Sequence, residues 1–295
     1  MRTTVTSDPM LGTLARQEIR NYLRHKLFWF GTALWAALCV SAFLAVDDDY
    51  STTGDGIGSA LTLGVFGMVI MAGLVRNSDR AALAAGAVAV PQRVRTLALA
   101  AAVVVPGTMA LIWFACAVVG YQLDPPSPAG APFGDHSKAD FFAAMFAEGV
   151  TPAIGGPLLG LVIARWLPGR GTAPLLAVVV VIVTVVMQPL FSWAERPRLG
   201  WIWIHFYGLS GIEGDAERLV AEPGSPYLYI GYQLALCVLG ILVAMYADPE
   251  ADRPAHRRRV FLVLGAAVLL SVSSFVVGPH DAEPSPIPSP GASQG

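Results

Sequence analysis

The sequence predicts an all-α, polytopic helical membrane protein, with six spanning helices, a seventh near the C-terminus, and a cytoplasmic N-terminus. Three observations carry that fold class. Hydrophobic residues make up 55% of the 295-residue chain and charged residues only 14%, with a mean hydropathy of +0.58. A soluble domain carries about 25% charged residues to cover itself, so most of this surface must face something other than water. Seven apolar runs each approach the length, about 20 residues, that a helix needs to cross a hydrocarbon core of about 30 Å. Finally, 15 of the 19 Lys and Arg residues fall in the N-terminal segment or in every second connection after it. Only Lys138, Arg196, Arg198 and Arg218 lie in the other connections. Basic residues stay on the cytoplasmic side, which sets the N-terminus inside and the C-terminus outside. Arginine outnumbers lysine seventeen to two, as in GC-rich coding, and the expected location is a bacterial cell (inner) membrane.

Residues 1–26 form a cytoplasmic segment with an amphipathic helix in "LARQEIRNYLRHK". Arg16, Arg20 and Arg24 recur every four residues and make one basic ridge, while Leu11, Leu14, Ala15, Ile19, Tyr22 and Leu23 gather opposite. Glu18 intrudes on the apolar side. Such a helix lies in the inner interface, where each basic residue attracts anionic lipid by about 1 kcal/mol. The transmembrane domain, 27–278, follows. Its first span, 27–46, contains no charge, and 26 preceding residues are too many for the basic start of a signal peptide.

The acidic connection 47–56 partly follows a calcium loop through Asp49, Ser51, Thr53, Gly54 and Asp55. Its twelfth position is Ala60 instead of glutamate, so no metal is expected. After span two (57–75) comes Ala81–Val90, too short to cross and bracketed by Arg80 and Arg93. The expectation is a short helix along the inner surface, ended by Pro91, which lacks an N–H and crowds the preceding turn. Arg93 and Arg95 then mark the water boundary before span three (97–121).

An outer loop is expected over 122–148, then span four at 150–166, where Gly156 and Gly160 form a G-x-x-x-G step. That spacing lets another backbone approach closely, within the chain or across a dimer seam. Span five covers 173–191. The loop 192–226 is aromatic, with Trp201, Trp203, His205 and Tyr207, and resembles an interfacial belt. Spans six (227–247) and seven (260–278) precede a Pro/Ser-rich tail, 279–295, expected to be disordered.

Chemistry-bearing motifs are sparse. Cys39, Cys116 and Cys237 all fall in apolar runs and suggest neither disulfides nor metal spacing. The five histidines lie in separate segments, which argues against haem or zinc. Asp, Glu, Lys and His are missing from the interiors of the seven runs, where a proton- or ion-coupled carrier would hold them. There is also no phosphate-binding G-x-x-x-x-G-K-[ST] loop; "PGRGTAP" at 168–174 lacks both its spacing and its lysine. Any ATP hydrolysis must occur in another chain.

The order of these pieces, with "VPQRVRTLALA" after span two and "GSPYLYIGYQLAL" opening span six, resembles the permease (membrane) subunits of type-2 ATP-binding-cassette exporters, actinobacterial ones in particular. The likeness covers residues 11–247. It implies that the N-terminal helix is an elbow helix and that Arg76–Thr96 carries a coupling segment, with Arg76, Arg80, Pro91, Arg93 and Arg95 at the surface docked by an ATPase subunit. It also implies that loop 192–226 holds re-entrant helices and that two permease chains pair, as a homo- or heterodimer. ATP and Mg would sit in the partner, with no cofactor, metal or catalytic residue in this chain and no nucleic-acid partner. The sequence departs from the family in having a single acid, Asp79, in the coupling segment and a seventh span. The aliphatic runs suit hydrophobic or amphipathic cargo such as a drug, an antibiotic peptide or a lipid. Two other readings stand beside this one: a membrane enzyme using His205, Glu213 and Asp215 on the outer face, and a structural or assembly protein.

Overall fold

The computed structural model describes residues 8–44, 58–86, 90–123, 138–190, 225–249 and 252–277. Among these residues every regular element is helical: α1 (Asp8–Leu23), α2 (Lys26–Leu44), a π-helical turn (Ala60–Val65) running into α3 (Phe66–Ala85), α4 (Gln92–Ala101), α5 (Val104–Leu123), α6 (Lys138–Trp166), α7 (Thr172–Leu190), α8 (Pro226–Tyr246) and α9 (Arg253–Val276). The described residues of all seven apolar runs are helical apart from Ala102–Val103, Ala247 and Val277. Four stretches of the described residues are long and apolar enough to cross a membrane: Ala60–Ala85, Gln92–Leu123, Phe142–Trp166 and Pro226–Tyr246.

The helix α6 is the hub. It contacts the π turn and α3, α4, α5, α7 and α8, while α9 packs along α8. Large apolar side chains remain exposed on the outer helices, including Trp29 and Phe30 on α2, Ile112 on α5, Ile182 on α7, and Phe261 and Leu269 on α9. In water such continuous apolar faces would drive association; in hydrocarbon they cost nothing. Burial of apolar surface drives little helix association inside lipid, so in a membrane the interior would be held by close packing.

The seam of α6 against α3 shows how. A side chain at Gly156 would strike the Gly64 carbonyl, and one at Gly160 the Met68 carbonyl. At Gly67 a Cβ would meet the Pro157 ring at 2.6 Å and the Tyr22 hydroxyl at 2.8 Å. The G-x-x-x-G step is therefore filled from within the chain, by the π turn and the start of α3. Pro152 and Pro157 sit inside α6, where each removes one intrahelical hydrogen bond. The close backbone of α3 occupies that face.

Several sequence expectations need correction. Ala81–Ala85 is no separate surface helix but the last turn of α3, which ends at Gly86 with φ +57°. That left-handed conformation is open to glycine at no steric cost. Pro91 ends nothing; it is the N-cap of α4, where its missing N–H is harmless. Arg93 and Arg95 lie inside α4, and the expected span 97–121 falls within Gln92–Leu123, one stretch long enough to cross, with a tightened turn at Ala102–Val103 where α4 gives way to α5. Residues 138–148, expected in an outer loop, are the first three turns of α6. Loop 47–56, most of loop 192–226 and the tail 279–295 lie outside the described residues.

Candidate functional site at the basic end of the bundle

The C-terminal ends of α3, α6 and α8 meet the N-terminal ends of α4 and α9 at one end of the bundle, beside α1. Their ionic groups converge on two aspartates. Asp79, on α3, accepts from Arg95 Nη1 of α4 at 2.8 Å and from Arg165 Nη1 of α6 at 2.7 and 2.9 Å. Arg95 also donates to the Ser78 carbonyl at 3.1 Å. One carboxylate thus braces three helices. The Arg165 side chain is only 3% exposed, against 40% for Asp79, so Arg165 depends on this partner to hold its charge in the interior. Asp248, just past α8, accepts from the backbone N–H of Arg93 at 3.1 Å. The N-cap of α4 is Pro91, which has no capping side chain, and Asp248 supplies from another element the acceptor and negative charge that a helix N-terminus favours. His256 Nε2 lies 2.8 Å from the Leu242 carbonyl, and Trp166, Tyr246 and His256 stack in series, joining α6, α8 and α9.

The end of α3 and the start of α4 are thereby fixed to α6 and α8, while other side chains on these two ends are exposed; residues 87–89 between them lie outside the described residues. Arg80, Leu83, Pro91 and Arg93 are exposed, Leu83 to 83%. Arg76 is partly buried. Of the predicted coupling residues, Arg80, Pro91 and Arg93 are exposed, whereas Arg95 is engaged with Asp79 and Ser78. Charge counting alone gave no means to separate Arg93 from Arg95, since both read as rim arginines. The missed residues are Asp79 as a hub, Asp248, and Leu83, an apolar side chain left in the open.

On α1, Arg16, Arg20 and Arg24 form an exposed ridge, and Tyr22 is buried against α3. His25 follows α1 and accepts from the Leu27 N–H through Nδ1 at 3.3 Å, capping α2. Burial lowers the His25 pKa below its ordinary 6.5, which keeps that nitrogen free to accept. Burial raises the Glu18 pKa above 4.5, partly offset by a hydrogen bond from Asn21. The stabilising preference for neutral Glu18 is therefore complete below pH 4.5 and lost as pH rises through the raised pKa. For His25 the sign is opposite: its contribution is complete above pH 6.5 and lost as pH falls through the lowered pKa. Glu18→Gln should consequently slow proteolysis at α1 at pH 7.5 and leave it unchanged near pH 4. An equal effect at both pH values would show that Glu18 is not penalised when charged.

A second polar group lies deeper. Thr151 on α6 hydrogen bonds Gln233 on α8 through a short contact, Gln233 Nε2 donates to the Ala147 carbonyl at 3.1 Å, and Glu148 is buried beside them in sequence. Glu148 falls in the outer loop expected over 122–148, so this group is not legible from hydropathy, although Lys138–Gly149 carries helical apolar spacing.

The predicted packing pair Gly156 and Gly160 lies in the α3–α6 seam. Trp201, Trp203, His205 and Tyr207, with Glu213 and Asp215, fall outside the described residues, as does the acidic loop from Asp49 to Asp55. No protein-family model matches the sequence, and no curated protein is similar to it.

Proposed function

We propose that this chain is the membrane-spanning permease subunit of an ATP-binding-cassette exporter, multi-pass in a bacterial cell membrane, with its basic end in the cytoplasm. ATP is hydrolysed by a separate ATPase subunit, and two permease chains pair across the bilayer. The observation that carries this reading is the pair of helix ends formed by the end of α3 and the start of α4. They expose Arg80, Leu83 and Arg93, and Asp79 and Asp248 tie them to α6 and α8. A push on these ends moves the spanning helices with them, because the ion-paired ends leave little room for independent motion. The partner's nucleotide cycle then biases the permease between conformations. The apolar helix surfaces suit hydrophobic or amphipathic cargo.

The test is affinity purification from the native membrane in mild detergent, with mass spectrometry of what co-elutes. A stoichiometric ATPase subunit is expected with the wild type, and its loss is expected with Leu83→Glu/Arg93→Glu, two exposed positions whose change should leave the fold intact. Absence of any ATPase, after cross-linking in the intact membrane as well, would overturn the reading.

A further inference from the structure

Between α1, α3 and the start of α4 lies a cavity of about 680 Å³, within the range of about 300–1,000 Å³ seen for small-ligand sites. Its wall is divided by chemistry. Alanines 81, 82, 85 and 98, with Leu14 and Leu74, make one part apolar. Glu18, Arg24, His25, Asn77 and Arg95 supply polar and charged groups on the rest. Arg95 uses Nη1 for Asp79 and Ser78, and its Nε is buried with no hydrogen-bond partner. Arg165 likewise has buried Nε and Nη2 atoms without partners. One aspartate against two arginines leaves an excess positive charge next to the cavity, and an unpaired buried guanidinium N–H is costly. An anionic group entering here would offset the excess charge through Arg24 and Arg95, the two arginines on the cavity wall; Arg165 does not line it.

Glu18 places a negative charge in the same space. A wall with cations, a carboxylate and an apolar strip suits a ligand that carries a phosphate, an ammonium and a hydrocarbon part together. The cavity also lies beneath α1, whose basic ridge is built for the lipid interface. We propose that this cavity binds an amine-bearing phospholipid, with its phosphate toward Arg24 and Arg95 and its ammonium toward Glu18, so that a lipid seats α1 on the bundle. This requires only that the chain resides in a membrane and is independent of whether an ATPase docks.

The experiment is native mass spectrometry of the full chain in detergent, titrated with phosphatidylethanolamine or phosphatidylglycerol of identical acyl chains. Wild type should bind the ethanolamine lipid about tenfold more tightly, the worth of one charge-assisted interaction, and Glu18→Gln should erase that preference. Ala82→Phe, which fills the cavity, should remove the bound lipid. Arg24→Gln, at an exposed position, should weaken binding about tenfold and serves if the cavity-filling variant fails to fold. Equal binding of the two lipids, undiminished binding in both Ala82→Phe and Arg24→Gln, or displacement of the adduct by inorganic phosphate would each overturn the proposal. The last would mark a site for a soluble phosphate compound. ATPase co-elution, followed in the same preparations, reports separately on the exporter reading.

Discussion

Gly160→Ala is expected to destabilise the purified protein by about 1–3 kcal/mol, the range for overpacking a filled site, with Gly156→Ala close behind. In both cases the new methyl meets backbone: the Met68 carbonyl at Gly160 and the Gly64 carbonyl at Gly156. A flexible side chain could swing away from such a methyl, but a helix backbone cannot. The whole of α6 must therefore shift from α3, and the packing of α6 on its other neighbours shifts with it. Gly265→Ala on α9 is the control, since nothing lies within 4 Å of a Cβ there, and alanine favours a helix by roughly 1 kcal/mol over glycine. Thermal unfolding in detergent, followed by loss of the monodisperse peak, should show a fall for residues 156 and 160 and none for 265. Equal tolerance at all three positions would mean that α3 and α6 do not make this close approach.

The second large effect is expected at Asp79. Asp79→Ala strands Arg95 and Arg165 at once, and Arg165 is almost completely buried. Removing one partner from a fully buried pair costs roughly 3–5 kcal/mol. Because Asp79 is 40% exposed and solvent screens its side of the pair, about 2 kcal/mol is the better expectation. Arg165→Met should be milder, because it removes a cation that already carries unbonded N–H groups and leaves Asp79 paired to Arg95. The combination Asp79→Ala/Arg165→Met should be more stable than Asp79→Ala alone, and that non-additivity is the signature of the pair. Strict additivity would mean that the two side chains do not interact. If the end of α3 and the start of α4 act as a lever, Asp79→Ala should also uncouple transport from ATP hydrolysis even where the protein still folds.

The helical class and the positions of the apolar runs were legible because they follow from local quantities. A run of about 20 apolar residues must form a helix in lipid, since every backbone polar group needs a partner and only the helix supplies them internally. The basic ridge of α1 was readable for the same kind of reason: a periodicity of 3.6 residues places Arg16, Arg20 and Arg24 together whatever surrounds them. Hydropathy could not show that α3 continues through Ala85, because alanines at a surface and alanines in a helix end read alike. It also could not show the tightened turn at Ala102–Val103, where both flanks are apolar.

By itself the sequence determined the helical class, which runs are apolar and where the basic residues lie along the chain. Only the tertiary structure decided which of those charges are spent. Arg93 and Arg95 are two residues apart and identical in kind, yet one faces out and the other closes on Asp79. The same holds for the G-x-x-x-G step, whose partners are the chain's own π turn and the start of α3. Pairing partners here are 16 to 155 residues apart, and a contact of that range depends on how helices are arranged around α6. Helix packing in lipid is set by shape and by a few buried polar contacts, neither of which leaves a periodic mark on the sequence.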